Sequence, residues 1–359
     1  MNELHEMMVE AADRILQDLA APGRSDKRHS ARLWRALDDA GFPSALVCED
    51  KGGAGLGWTH AFSLLDAVGR HAAPVPLAEA LGARWLLAVA GLAIPAGLAV
   101  CIPANQLGTK DMPGGRVELS GVLHRVPWGR AASILVILAD HESGPRLVAL
   151  DNNKLRGSWR AGSNLAGEPR DTLHLDVPLT APWHSAPLGA QALYALGAAT
   201  RSAMMAGALR GVLDLSIDYA NLRHQFGRPI ARFQVVQHQL ALLAAHCAAA
   251  RSSAEAAFEA LDHALARTPA TPQNDMAVQA AKIRCGEAAG LGASIAHQTF
   301  GAIGFTEEHV LHHYTKRLWS WRDEFGNEAF WSAKLGQQTL QAGPEALWPA
   351  LTDDRAVSQ

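Results

Sequence analysis

From residue 189 to about 342 the chain is Ala-rich and patterned at helical spacing almost without interruption. Leu209, Val212, Leu213, Ile217 and Ala220 fall at i, i+3, i+4, i+8 and i+11, which is one face of a helix. Residues 233–266 predict a long second helix, 274–300 and 306–320 two more, and 327–342 a last one. Thr268-Pro-Ala-Thr-Pro272 reads as the turn between two of them. Long helices joined by short turns pack antiparallel, so this half is predicted to be a helix bundle.

The preceding residues divide in two. Residues 1–94 read as helices, with Leu33, Leu37 and Ala40 at helical spacing, Gly41 as a stop, and further helices over 59–70 and 77–90. Asp50 to Gly57 is a glycine-rich loop. The texture changes near Pro95. Short apolar runs follow at Leu98–Ile102, Val117–Leu119, Ser133–Leu138, Leu147–Leu150 and Leu173–Val177, punctuated by Gly, Pro, Asn and Asp. Pro178, Pro182 and Pro187 mark a linker. The expected architecture is therefore α+β and multidomain. It has an N-terminal helical domain (1–95), a small antiparallel β-barrel or β-sheet domain (96–187) and a C-terminal four-helix bundle (188–359).

Several function classes are excluded by composition. A formal net charge of −3 leaves no basic excess to neutralise phosphates, so nucleic acid is not an expected partner. Four widely spaced cysteines (Cys48, Cys101, Cys247, Cys285) form no CxxC pair, which argues against a disulfide framework or structural zinc. The N-terminal MNELHEMMVEAADRIL is acidic where a signal peptide needs positive charge. Trp85 to Ile102 carries no charge, but Gly91, Pro95 and Gly97 interrupt it. It reads as a helix end, a break and a buried strand rather than a membrane span. A cytoplasmic protein is expected. His309, His312 and His313 sit at helical spacing, yet no HExxH or matching carboxylate accompanies them, so no metal site is assigned.

Two stretches could carry chemistry. Tyr219 to Ile230, YANLRHQFGRPI, predicts a helix ending at Arg223, a turn enforced by Gly227 and Pro229, and a new helix near Arg232. That turn presents Arg223, Gln225 and Phe226 together. The planar guanidinium suits a phosphate and the Phe offers an aromatic face. On residue chemistry alone, a helix hairpin with a surface Arg accounts for the stretch equally well. In Gln298 to Thr306, QTFGAIGFT, Gly301 and Gly304 would let a ligand approach the backbone closely, although a helix C-cap contains the same residues.

Taken together, RxQFGxPIxxFQ and a later QxxGxxGF resemble the acyl-CoA dehydrogenase family of flavoproteins. Glu49-Asp-Lys-Gly-Gly-Ala-Gly55 is similar to that family's E-x-x-GG-x-G loop, and Gly69-Arg70 followed by Pro74 and Pro76 fits its second N-terminal helix. The resemblance covers nearly the whole chain and is strongest over 205–335. It implies the acyl-CoA dehydrogenase fold and FAD as cofactor, held by Arg223, Gln225 and Phe226 with Gln298, Gly301 and Gly304 of a neighbouring chain, so that the two motifs would meet only between subunits. It further implies α,β-oxidation of an acyl-CoA. A carboxylate takes the α proton, a hydride passes to the flavin, and an electron-transfer flavoprotein receives the electrons.

The departures from the family pattern bear on activity. Residues 98–121 lack the family's TEPxxGSD-like segment. The flavin-contacting W-I-T position falls on Arg125-Val126-Pro127, with Trp128 following as a residue that could stack on a ring. The usual catalytic Glu position falls on Phe325, before Gly326 and Asn327, and Asn327 joins the candidate cofactor contacts. Glu324 is one residue away and is the best carboxylate candidate, although Asp323, Glu324 and Glu328 also read as a solvated acidic run. The alternative base position on the preceding helix, Leu196 to Arg201, has no carboxylate. Trp319, Trp321 and Trp331 read as interface or core aromatics. Val-Pro-Trp128 and Arg317 to Gly326 resemble a bacterial sterol side-chain-degradation subgroup whose two different subunits form α2β2 assemblies, only one subunit carrying the base. The chain resembles the base-less partner. A homo-dimer or tetramer is the other expected assembly. A catalytic dehydrogenase, a flavin-holding structural subunit and a flavin monooxygenase on the same fold all stay open.

Overall fold

The computed structural model describes residues 3–20, 27–104, 106–266 and 271–352. Four helices come first: α1 (Glu3–Leu19), α2 (Lys27–Asp39), α3 (Trp58–Arg70) and α4 (Leu77–Val89). A β region follows with β1 (Ala99–Pro103), β2 (Leu107–Met112), β3 (Arg116–Pro127), β4 (Ile134–Ala139), β5 (Arg146–Asp151), β6 (Trp159–Arg160), β7 (Arg170–Pro182) and β8 (His184–Ser185). The rest is helical: α5 (Ala190–Leu222), α6 (Gln234–Leu265), α7 (Met276–Phe300), α8 (Leu311–Asp323), α9 (Glu328–Ala342) and α10 (Pro344–Thr352). No described helix is long and apolar enough to cross a membrane. Of the expected turn at Thr268–Pro272, residues 268–270 lie outside the described residues.

α5 is the centre of the molecule. From Ala190 to Val212 nearly every side chain is buried, and α3, α6, α7 and α8 all pack on it. A helix apolar all round belongs in a core rather than on a surface, and small side chains let its neighbours come close. Gly69 of α3 and Gly207 of α5 face one another. A Cβ on Gly69 would overlap the carbonyl of Met204, and one on Gly207 would overlap that of Asp66. Beyond Val212 the predicted face shifts: Ile217 is exposed, and Ser216 is buried instead, its hydroxyl donating to the Val212 carbonyl. The N-terminal helices share one continuous apolar core with the bundle, while the β region has its own.

The β region forms two four-stranded sheets, ordered β1-β4-β5-β8 and β2-β3-β7-β6, and neither closes into a barrel. Most pairs are antiparallel, as expected, but β1 and β4 run parallel from Ala99↔Ile134 to Pro103↔Leu138. A parallel pair needs a crossover, which a local strand pattern does not display; here β2 and β3 supply it. The ladder of β3 on β7 breaks between Leu123 and Val126, and Arg125 takes φ +58° at that bulge. A bulge bends the strand that carries it, and Pro127 at the end of β3 shares a cleft with Tyr194 of α5.

The candidate cofactor end and the interdomain cleft

α5 ends at Leu222, and a two-residue hairpin pairs His224–Gln225 with Arg228–Pro229 before α6 begins. Phe226 (φ +52°) and Gly227 (φ +77°) form its tip, both in the left-handed region that such a two-residue turn requires. Arg223, Gln225 and Phe226 are all exposed, Phe226 at 91%. Phe233 packs edge-on to Phe226 at 6.1 Å, and the Arg228 guanidinium lies 4.3 Å from the Phe233 ring centre.

The second motif lies beside the first in the same chain. The Tyr219 ring stacks on Phe300 at 4.3 Å, and its hydroxyl donates to the Phe300 carbonyl at 3.3 Å. Phe300 ends α7, Gln298 is exposed on its last turn, and Gly301–Phe305 form a 3-10 turn. The two motif stretches thus touch within one protomer through Tyr219 and Phe300. One long antiparallel hairpin brings both to one end of one protomer. His297 buttresses this end, stacked between Phe305 at 4.3 Å and Trp319 at 5.9 Å, and burial lowers its pKa. A Cβ on Gly304 would come within 3.4 Å of His297 Nδ1.

A second feature lies between the sheets and the bundle: a cleft of about 360 Å³ lined by residues of β1, β3, α5 and the α8–α9 loop, among them Arg125, Pro127, Tyr194, Asp323 and Phe325. Its volume is at the low end for small-molecule sites. Trp128 does not line it; the Trp128 side chain packs on the β-region core. Asn327 is the N-cap of α9, its Oδ1 accepting from the Phe330 amide at 3.1 Å.

Behind the cleft wall is a buried charge network. Glu324 Oε1 accepts from Arg170 Nε at 2.7 Å and Asn164 Nδ2 at 3.1 Å. Its Oε2 accepts from Arg170 Nη2 at 2.8 Å and Arg201 Nε at 2.7 Å. Arg201 also donates to Glu79, and Glu168 pairs with Arg170 at 3.2 Å and with Arg317 at 3.2 Å. Three carboxylates and three guanidiniums thus join α4, β7, α5 and α8, each less than a tenth exposed. Burial by itself would raise the Glu324 pKa, but Arg170 and Arg201 overcome it and hold the carboxyl at about 2. Glu324 is thus no part of a solvated acidic run, and Glu328 pairs with Arg322 at 2.6 Å; only Asp323 is exposed. Trp321 and Trp331 are core residues. Among the described residues no three His, Cys, Asp or Glu gather to hold a metal.

The network was not legible in the sequence, except that Arg201 is a lone charge amid some twenty small and apolar residues of α5. Lys282 of α7 completes the surroundings. Its Nζ donates to the carbonyls of Arg322 at 2.6 Å and Gly326 at 2.7 Å, tying down the loop that carries Phe325. Burial lowers its pKa to about 8. Between about pH 8 and 10.5 the unfolded chain then binds the extra proton, so this group makes stability rise with pH across that window. Urea unfolding at a series of pH values is expected to show wild type gaining on Lys282→Met by at most about 1.4 kcal/mol per pH unit there. Parallel curves would contradict it.

The residues present fit FAD at one end. Arg223 has no side-chain partner among the described residues, and it stands beside an exposed aromatic ring and a glycine turn. That is the donor set for a pyrophosphate and an adenine. Comparison with known proteins agrees. Residues 190–323 match the C-terminal domain of acyl-CoA dehydrogenase. The acyl-CoA dehydrogenase FadE34 of Mycobacterium tuberculosis is 28% identical over 88% of this chain, which spans only 43% of FadE34. The acyl-CoA dehydrogenase IpdE2 of the same organism is 27% identical over 88% of this chain and 91% of its own. The ChsE4-ChsE5 complex from Mycobacterium tuberculosis superposes with TM-score 0.81 at 21% identity, covering 96% of this chain and 99% of that one. Motif, fold and relatives converge: residues 190–323 carry the C-terminal domain of the acyl-CoA dehydrogenase family, and the whole chain has the fold of its solved structures.

Proposed function

We propose that this chain is the base-less subunit of an acyl-CoA dehydrogenase-type flavoprotein that α,β-oxidises a bulky, sterol-derived CoA thioester. In this reading Arg223, Gln225 and Phe226, with Gln298, Gly301 and Gly304, hold the pyrophosphate and adenine of FAD. A homologous partner in an α2β2 assembly supplies the cleft for the flavin ring and the carboxylate. The FAD supplies hydride acceptance from the β carbon, and an electron-transfer flavoprotein takes the electrons onward. The reaction is placed in the cytoplasm, consistent with four free cysteines.

The observation that carries this reading is the state of Glu324. A base for an α proton needs a free lone pair within about 3 Å of the carbon and a pKa near the working pH. Glu324 offers neither, since Arg170, Arg201 and Asn164 engage both oxygens and its pKa is about 2. Phe325 is apolar, and Asp323 is open to solvent, whereas a carbon-acid base works where water is excluded. A covering subunit accords with the apolar side chains left exposed around the cofactor end: Leu222 at 78%, Phe226 at 91%, Val235 at 67% and Phe305 at 71%. A structural neighbour of this chain is one chain of the ChsE4-ChsE5 complex.

The test is turnover of short, long and steroid-bearing acyl-CoAs with an artificial electron acceptor, by the isolated chain and by the chain co-expressed with a homologous subunit. The isolated chain is expected to be pale and inactive, and the pair yellow and active. Turnover by the isolated chain that Glu324→Gln or Asp323→Asn abolishes would overturn the reading.

A further inference from the structure

Phe325 stands between two cavities. On one side is the cleft of about 360 Å³, and on the other a pocket of about 30 Å³, room for roughly two waters. Cys101, Pro127 and Phe325 line both. Past the ring the small pocket runs between α4 and α5, with Leu193 and Leu196 on its wall and Glu79, Thr200 and Arg201 at its polar end.

The ring is held there from several directions. Phe325 takes φ +55°, a conformation that a bulky residue adopts only when its surroundings impose it. On one side Arg170 and Arg201 grip the adjoining Glu324. On the other Lys282 grips the carbonyls of Arg322 and Gly326. Trp331 Nε1 donates to the Phe325 carbonyl at 2.9 Å. The benzyl group is received by Gly197, where a Cβ would overlap it. Tyr194 meets it edge-on at 5.7 Å, and the Arg201 guanidinium lies 5.4 Å from its centre. Neither partner can yield easily: α5 is buried here, and Arg201 is fixed by Glu79 and Glu324.

The geometry assigns to Phe325 the role of a plug. It divides what would otherwise be one chamber, running from the surface cleft to the α4–α5 contact, and so closes this chain to an acyl chain. The inference rests on the reading of the chain as the base-less subunit and deepens it: substrate is excluded from this subunit by volume as well as left without a base. The ligand class concerned is a thioester with an unbranched acyl tail. The wall behind the ring is aliphatic and narrow, and its polar end is already neutralised.

The test is calorimetric titration of the full chain with octanoyl-CoA, without electron acceptor. Wild type is expected to show no saturable binding at millimolar ligand. Phe325→Ala is expected to bind one octanoyl-CoA per chain at least tenfold more tightly than that limit. The double variant Phe325→Ala/Gly197→Leu should lose the site again, because the leucine refills the space. If Phe325→Ala does not fold, Phe325→Leu should give a gain of at least threefold. Wild type binding one octanoyl-CoA as tightly as the variant, or a folded variant gaining nothing, overturns the plug. Failure of the underlying reading looks different. A wild-type chain that binds octanoyl-CoA without turning it over removes the plug alone. A chain that turns it over removes the base-less reading.

Discussion

Arg201→Ala is expected to lower stability by about 3–5 kcal/mol, a large share of the roughly 5–15 kcal/mol that holds a typical domain together. Arg201 is 1% exposed and joins two buried carboxylates, Glu79 and Glu324. Removing it leaves both in an apolar surround with fewer partners, the costly way to break a buried pair. Arg201→Lys should rescue little, because a single ammonium cannot present the two directed donors that Nε and Nη2 now use. Urea unfolding at neutral pH is the measurement, and a loss below about 1 kcal/mol would show the network to be incidental. The same network sets an acid limit. The Glu324 pKa is depressed from 4.5 to about 2, so its contribution is fully present above about pH 4.5 and disappears as pH falls toward 2. Glu324→Gln should flatten that part of the stability curve. If Glu324 were instead a base, the same substitution would change activity and leave the acid limb alone.

Arg223→Ala is expected to weaken FAD retention by about 1.5–3 kcal/mol, roughly ten- to 150-fold, the scale of a charge-assisted hydrogen bond. Arg223 is exposed at the C-cap of α5, so the fold loses almost nothing when it is removed and a drop in flavin content is a binding effect. The co-expressed pair should be dialysed against buffer and its bound flavin counted by absorbance beside wild type. Arg223→Lys should recover only part of the loss, since an ammonium lacks the planar fork. Full flavin occupancy in a folded Arg223→Ala pair would remove this residue from the cofactor site.

The pattern of side chains along the chain determined much by itself. The order of helices, strands and bundle helices is readable because each is a local period, and the hairpin after α5 because Gly227 and Pro229 allow little else. Those same local signals singled out the turn that presents Arg223, Gln225 and Phe226. They misplaced the start of α8, which begins at Leu311 because Gly301–Phe305 first make a 3-10 turn. Other matters belong to the tertiary structure alone. Glu324 meets Arg170 across 154 residues and Arg201 across 123, which turned a suspected base into the centre of an ion-pair network. Asp262 of α6 caps α3 from 204 residues away, its carboxylate accepting from the Trp58 amide at 2.6 Å, a position where the local N-cap, Gly57, offers no side chain. β1 finds β4 in parallel, and Tyr219 stacks on Phe300 across 81 residues. The physical reason is the same throughout. Periodicity and turn preference act between neighbours in sequence. The meaning of a buried charge, a missing cap or an unpaired strand edge depends on which distant group the packed core brings within about 3 Å.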